Sequence, residues 1–237
     1  MLNGKKGKVF AVLVLGILTT AILFGCSPTL EDRAKEYLTK YDDTFTYVDK
    51  KESGETNVYT FSSQKYPDKA VYVRYESMFD QNGMSPFYDN YMGIRYEEEG
   101  LAKGQELAEK IFPGEDYELC RSFGGYYQYY DKDSSYDYFY SGEGEYFGII
   151  LHKTPSEDQL NADAEKIKEV LKGEDSKLAN ATAAVQIKVL YYSGTDRKLN
   201  GNDIKTFADL SDYEAVLDVN YVKTKGECDV VEMGMAK

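Results

Sequence analysis

Tryptophan is absent from this 237-residue chain, and histidine occurs once, as His152. A serine or cysteine nucleophile usually takes its proton acceptor from histidine, and a zinc site needs several histidine or cysteine ligands. The sequence also lacks G-x-S-x-G, G-x-G-x-x-G and G-x-x-x-x-G-K-[ST] motifs, which open acyl-transfer and nucleotide sites. We therefore expect no catalytic residue, no cofactor and no metal site.

Positive charge is also scarce. The chain carries 28 lysine and arginine residues against 41 aspartate and glutamate residues, which gives a formal net charge of −13. A surface of this sign repels the phosphates of nucleic acids and the anionic headgroups of lipids. Nucleic-acid partners are disfavoured, and any attachment to a membrane must come from something other than a basic patch.

No apolar run reaches the roughly 20 residues that a membrane-spanning helix needs. The longest run covers residues 9–24, follows Lys5, Lys6 and Lys8, and ends at Leu23-Phe24-Gly25-Cys26. A basic start, a short apolar segment and small residues at its end are typical of an export signal. The alternatives are an uncleaved signal anchor and export with a different cleavage site.

The four residues 23–26 resemble the bacterial lipobox, in which the cysteine receives a diacylglycerol before the chain is cut ahead of it. Leu23, Gly25 and Cys26 match that pattern, and Phe24 departs from it. The resemblance implies a signal peptide over residues 1–25, lipidation at Cys26 and location on the extracytoplasmic face of the cell membrane. Removal of three lysines and no acid would take the net charge from −13 to about −16.

Two further cysteines remain, Cys120 and Cys228. An even pair outside the cytoplasm is compatible with one disulfide. Two separate thiols are the alternative, and the sequence leaves both open.

The fold class predicted from periodicity is α+β, with antiparallel sheets and about three helices. Helices are expected near residues 30–41, 98–112 and from Thr154 to about Gly173, and alternating segments between them favour strands. Residues 26–114 and 115–237 are interpreted as two subdomains.

A short internal similarity links the two halves. Tyr-Met-Gly-Ile at Tyr91 and Tyr-Phe-Gly-Ile at Tyr146 each precede a helix pattern that closes on Gly-Glu-Asp. This favours a duplicated strand–helix–strand unit, with coincidence between two ordinary strand–helix joints as the alternative.

Residues 123–148 are unusually rich in tyrosine. Tyrosine gives a large contact area at a low entropic cost, which suits binding surfaces. The alternative is a β-hairpin whose alternate rings lie in the core, with Tyr127 and Tyr129 on one face and Tyr126 and Tyr130 on the other. The candidate binding residues are Tyr126, Tyr127, Tyr129, Tyr130, Tyr136, Tyr138 and Tyr140.

Residues 34–50 loosely resemble the opening of uncharacterised surface lipoproteins of Gram-positive bacteria, which implies a helix-on-sheet fold without an established activity. The function expected from these features is a non-enzymatic, lipid-anchored binding protein of the bacterial envelope, with an envelope protein or a glycan as partner. The alternatives are an accessory or inhibitory subunit of an envelope complex and, less favoured, a carboxylate-dependent glycan hydrolase.

Overall fold

The computed structural model describes residues 27–53, 56–122, 125–194, 207 and 212–236. The signal segment and Cys26 lie outside the described residues. None of the helices in these ranges has the length and apolar character that crossing a membrane requires.

The first half of the chain forms a four-stranded antiparallel sheet in sequential order. Its strands are β1 (Phe45–Ser53), β2 (Thr56–Ser63), β3 (Ala70–Glu76) and β4 (Phe87–Asp89). The alternation of apolar and polar residues along β2 and β3 places Phe61 and Val73 in the core and leaves the opposite face to polar and tyrosine side chains.

The second half forms a five-stranded sheet, also in sequential order. Its strands are β5 (Tyr117–Ser122), β6 (Gly144–Leu151), β7 (Ala184–Tyr191), β8 (Ala215–Val222) and β9 (Glu227–Met235). β6 and β7 pair in parallel because a long helix connects them, and the other pairs are antiparallel. The two antiparallel-rich sheets and their covering helices confirm the predicted α+β class.

Six α-helices lie in the described ranges: α1 (Leu30–Tyr37), α2 (Ser77–Gln81), α3 (Tyr91–Arg95), α4 (Glu97–Ile111), α5 (Tyr136–Glu143) and α6 (Glu157–Glu174). The predicted helices correspond to α1, α4 and α6. α1 begins with a capping box in which Thr29 and Asp32 satisfy each other's backbone N–H groups. α6 is capped by Ser156, and it buries an apolar stripe of Leu160, Ala164, Ile167 and Leu171.

α4 lies very close to the second sheet because it presents two glycines, one turn apart, to β5 and β6. A Cβ atom on Gly104 would lie 2.7 Å from the Phe147 ring. A Cβ atom on Gly100 would overlap the guanidinium of Arg121. The closeness of this helix therefore depends on glycine at both positions.

The chain passes from the first core to the second in α4 and returns to the first core after β5. α4, which precedes the second sheet, packs its Leu107 and Ile111 in the core of that sheet. Tyr127, Tyr130 and Phe139, which follow β5, return to the core of the first sheet.

Two local expectations are wrong, and one strand was not expected. The strand expected at Tyr91 is helix α3, so the two similar tetrapeptides differ in structure and do not form matching strand–helix–strand units. The predicted tyrosine hairpin is a loop followed by α5. The segment after Lys225, which carries weak signals, forms β9 against β8.

Candidate functional site

The seven candidate tyrosines divide between the core and the surface. Tyr127, Tyr130 and Tyr140 are buried, Tyr136 is half-buried, and Tyr126, Tyr129 and Tyr138 are exposed. This division does not follow strand alternation, because Tyr136 and Tyr140 stand one turn apart on α5 while Tyr138 points to the other side. The seven residues therefore do not form one surface.

The buried tyrosines support the fold. The rings of Tyr127 and Tyr130 pack edge-on against Phe139, with centroid distances of 4.8 and 5.2 Å. The Tyr130 hydroxyl donates to Glu143 Oε1 at 2.8 Å. Their burial removes them from a binding surface and assigns them to the core of the first sheet.

Tyr126 is held on the surface by a backbone bridge to β4. The N–H of Asp89 donates to the carbonyl of Tyr127 at 2.8 Å, and the N–H of Tyr127 donates to the carbonyl of Asp89 at 2.6 Å. Tyr127 and Asp89 both point into the core. Because neighbouring residues of an extended chain point to opposite faces, Tyr126 emerges on the outer face of the first sheet.

Three residues of the first sheet join Tyr126 and Tyr129 there. Tyr72 and Arg74 stand on β3, and Tyr88 stands opposite Arg74 on β4. We call this set, Tyr72, Arg74, Tyr88, Tyr126 and Tyr129, the tyrosine face. The exposed fractions are 39% for Tyr72, 36% for Tyr126 and 84% for Tyr129.

Arg74 lies at the centre of the tyrosine face. Its guanidinium carbon is 5.8 Å from the Tyr126 ring centroid, and its Nη2 is 2.8 Å from Glu76 Oε1. Burial raises the pKa of Tyr126, and Arg74 opposes the rise. Burial, followed by Glu76 and Tyr129, raises the pKa of Tyr88. Tyr88 and Tyr126 therefore remain neutral hydroxyl groups near neutral pH.

Polar side chains separate the rings. Thr60 stands opposite Tyr72 on β2. Asn90 accepts from the Tyr72 backbone N–H at 2.8 Å and donates to the Ala70 carbonyl at 3.2 Å, so it fixes the end of the sheet. Gln128 donates to the carbonyl of Ser85. The tyrosine face therefore combines aromatic rings with hydroxyl and amide groups on one side of the sheet.

A satisfied polar cluster lies directly beneath this surface. The buried carboxylate of Asp89 accepts from the Tyr41 hydroxyl at 2.9 Å and from the Tyr91 N–H at 2.8 Å, and Lys40 Nζ lies 3.0 Å away. Burial and then Asp89 raise the pKa of Tyr41. Burial lowers the pKa of Lys40, although Asp89 acts to raise it. These contacts hold β4 and the Tyr126 bridge in place.

A second feature is an open cleft of about 630 Å³ between α4, α5 and the end of α6. It is lined by Glu99, Ala102, Lys103, Glu106, Tyr136, Asp137, Tyr140 and Lys177. At its floor, Lys103 Nζ lies 2.7 Å from a carboxylate oxygen of the buried Glu174. The Tyr140 hydroxyl donates to the same carboxylate at 2.9 Å.

Carboxylates and lysines of this cleft pair with one another. Burial acts to raise the pKa of Glu174, but hydrogen bonds from Lys103, Lys177 and Tyr140 outweigh it and hold the pKa below its ordinary value. A hydrogen bond from Lys110 lowers the pKa of Glu106 to about 2. Both carboxylates are therefore ionised near neutral pH, which suits ion pairing better than proton donation to a leaving group.

His152 is engaged at both ring nitrogens. Its Nε2 lies 2.9 Å from Glu118 Oε1, and its Nδ1 lies 3.0 Å from the Gly194 carbonyl oxygen. Neither described contact is with a serine or cysteine nucleophile. The geometry favours a role in tying β6 to β5 and to the end of β7.

Cys120 and Cys228 are not bonded to each other. They stand on β5 and β9, the two outer strands of the second sheet. Four strand spacings separate them by roughly 19 Å, far beyond the roughly 7 Å between Cα atoms that a disulfide tolerates. The structure therefore favours the alternative of two separate thiols, and burial raises the pKa of the Cys228 thiol.

Sequence reasoning missed three members of the tyrosine face, Tyr72, Arg74 and Tyr88. The alternation in residues 70–77 does place Tyr72 and Arg74 on one side of a strand. Their position next to Tyr126 depends on the bridge to Asp89, which sequence patterns do not reveal.

Among the described residues, no group of three or more histidine, cysteine, aspartate or glutamate side chains is placed to hold a metal ion. No family model, curated protein or solved structure matches the chain. The interpretation of the tyrosine face depends on its own geometry.

Proposed function

We propose that this chain is a lipid-anchored protein of the bacterial envelope that binds a glycan, without catalysis, through the tyrosine face. The observation that carries the proposal is the set of exposed rings of Tyr72, Tyr126 and Tyr129, arranged with hydroxyl and amide groups on a rigid sheet.

The chemistry of the face matches a sugar chain. A pyranose ring has an apolar face of C–H groups that packs on the electron-rich face of an aromatic ring. Its hydroxyls need hydrogen-bond partners, and the face offers the tyrosine hydroxyls and Thr60, which stands opposite Tyr72. An exposed surface with several rings suits a polymer better than a small, enclosed ligand.

The sheet holds the rings of the tyrosine face in position, which suits weak, repeated contacts with a glycan. The rings stand on paired strands or on a segment bridged to β4, so little conformational freedom is lost when a ligand binds. Tyrosine adds to this because it has few rotatable bonds for its contact area.

The anchor in this proposal is the lipid on Cys26. The basic start, the short apolar run and Leu23-x-Gly25-Cys26 support it. Two acyl chains bind stably to a bilayer where one does not. An acidic body without a basic patch needs such an anchor to stay at an anionic membrane.

The test is cosedimentation of the purified mature protein with insoluble envelope glycans, purified peptidoglycan included. The triple variant Tyr72→Ala, Tyr126→Ala, Tyr129→Ala should lose sedimentation and keep its melting temperature. Tyr138→Ala is the control, because Tyr138 on α5 is also exposed, at 59%, and lies outside the face.

Two results would count against the proposal. Sedimentation that survives the triple variant would remove the tyrosine face as the binding surface. Release of new reducing ends from the glycan by the wild-type protein would favour the hydrolase alternative.

A further inference from the structure

The chain leaves very little length between Cys26 and its first rigid element. Only Ser27 and Pro28 precede Thr29, the N-cap of α1. The capping box fixes Thr29, because its backbone N–H donates to Asp32 Oδ2 at 3.0 Å and its hydroxyl accepts from the Asp32 N–H at 3.1 Å. The first helix is therefore fixed at Thr29, three residues after Cys26.

This length limits how far the folded body can stand from a lipid on Cys26. Three residue steps span at most roughly 11 Å when fully extended. A lipidated Cys26 lies at the membrane surface, so the start of α1 must lie beside the headgroups.

A neighbouring loop shares that position. The guanidinium of Arg33, in the first turn of α1, pairs with both carboxylate oxygens of Asp80 on α2, at 2.9 and 3.0 Å. Asp80 belongs to residues 77–86, which comprise the short helix α2 and the turn after it and which we call the methionine loop. Met78 and Met84 of this loop are 57% and 51% exposed.

The methionine loop is unusual in its charge. In a chain of net charge −13, these ten residues contain one ionisable side chain, Asp80, and Arg33 neutralises it. Methionine is apolar and flexible, and it adapts to disordered surroundings such as lipid chains. The loop thus lacks the negative charge that would repel anionic headgroups.

We infer that the methionine loop rests on the outer leaflet of the membrane that holds the lipid of Cys26, with Met78 and Met84 entering the interface. This inference rests on the proposed lipid anchor. The short tether indicates that the surface facing Met78 and Met84 is a membrane. It holds α1 at the bilayer, and the pair of Arg33 on α1 with Asp80 holds the methionine loop beside α1.

The consequence is a fixed orientation of the tyrosine face. The Phe79 ring of the loop packs at a tilt against Tyr88 of the face, with centroids 5.8 Å apart. The Glu76 N–H, at the end of β3, donates to the Pro86 carbonyl at 2.9 Å. The face begins where the loop ends, so it receives glycan close to the membrane surface.

The absence of tryptophan makes the test direct, since one introduced tryptophan is the only one in the protein. The full lipidated chain would carry Met78→Trp or Met84→Trp and be reconstituted in vesicles of phosphatidylglycerol and phosphatidylethanolamine with brominated acyl chains. The matched control is Met233→Trp, because Met233 is a similarly exposed methionine on β9 of the second sheet.

Blue-shifted emission and loss of most fluorescence at positions 78 and 84, with an unquenched tryptophan at 233, is the expected result. Emission from tryptophan at positions 78 and 84 that matches emission from position 233 would overturn the inference. If mass spectrometry also finds diacylglycerol on Cys26, the proposed anchor still stands. A mature chain without lipid on Cys26 would overturn both.

Discussion

Replacement of Gly100 by alanine tests how the two halves are joined. Gly100 lies in the first turns of α4, directly over the guanidinium of Arg121. Arg121 is fully buried, donates to the carbonyl of Tyr96 and forms an ion pair with the equally buried Glu145. The new methyl group would occupy the position of the guanidinium and force it away from these partners.

Two opposing terms set the magnitude. Alanine favours a helix over glycine by about 1 kcal/mol. Separation of a buried ion pair that leaves a charge uncompensated costs about 3–5 kcal/mol. We expect a net loss of about 2–4 kcal/mol in the free energy of unfolding, which lowers the melting temperature by roughly 5–15 °C for a chain of this size.

The assay is urea and thermal unfolding followed by circular dichroism, with Gly173→Ala as the control. Gly173 also lies in a helix, α6, but a Cβ atom there meets no other atom within 4 Å. The same chemical change should therefore stabilise the protein slightly, by up to about 1 kcal/mol.

A Gly100→Ala protein as stable as Gly173→Ala would refute this reasoning, because it would mean that Arg121 is not packed under α4. A second measurement checks the mechanism. Replacement of both members of a buried pair by apolar residues is often tolerated. When Arg121→Met and Glu145→Leu are added to the Gly100→Ala protein, the triple variant should therefore recover much of the stability that Gly100→Ala alone loses.

Three further predictions follow from the same contacts. Tyr127→Ala should lower the free energy of unfolding by about 3–5 kcal/mol in urea titrations, because its buried ring packs on Phe139, whereas exposed Tyr138→Ala should change it by less than about 0.5 kcal/mol. Burial and then Glu174 raise the pKa of Tyr140 above its ordinary value of 10.0, so the stability that neutral Tyr140 contributes is complete below pH 10 and is lost as the pH rises further. Ultraviolet titration should therefore show ionisation of Tyr140 only together with unfolding. Reversible ionisation of Tyr140 in the folded protein would contradict the assignment. Cys26→Ala should leave an uncleaved or shed chain without lipid, and mass spectrometry of a wild-type N-terminus other than Cys26 would count against the lipidation.

Local sequence signals predicted the elements whose stability is mostly local. The Thr29 and Asp32 capping box, the α4 span and the apolar stripe of α6 all follow from helical spacing and capping chemistry. These signals act within a few residues of one another, so the sequence alone contains them.

Elements that depend on distant partners were not predicted. α5 consists largely of tyrosine and other weak helix formers, and it is held by its Ser135 cap and by burial of Phe139 and Tyr140. β9 pairs with β8 along its whole length, and this pairing compensates for its weak local pattern. In both cases tertiary packing outweighs local preference.

The candidate site shows the same limit. The tyrosine-rich stretch contains the exposed Tyr126 and Tyr129, but their neighbours Tyr127 and Tyr130 are core residues. Which rings face outward was decided by the backbone bridge between Tyr127 and Asp89, 38 residues earlier in the chain. Strand alternation could not supply that contact.

The most direct test of the central claim is the affinity of the protein for a soluble fragment of its glycan, measured by titration calorimetry on two variants of one position. Tyr126→Phe keeps the ring and should bind nearly as well as the wild type. Tyr126→Ala removes the ring and should weaken binding by up to roughly tenfold, as expected for loss of one aromatic contact. Wild-type affinity in Tyr126→Ala would contradict the claim that the tyrosine face binds the sugar by stacking.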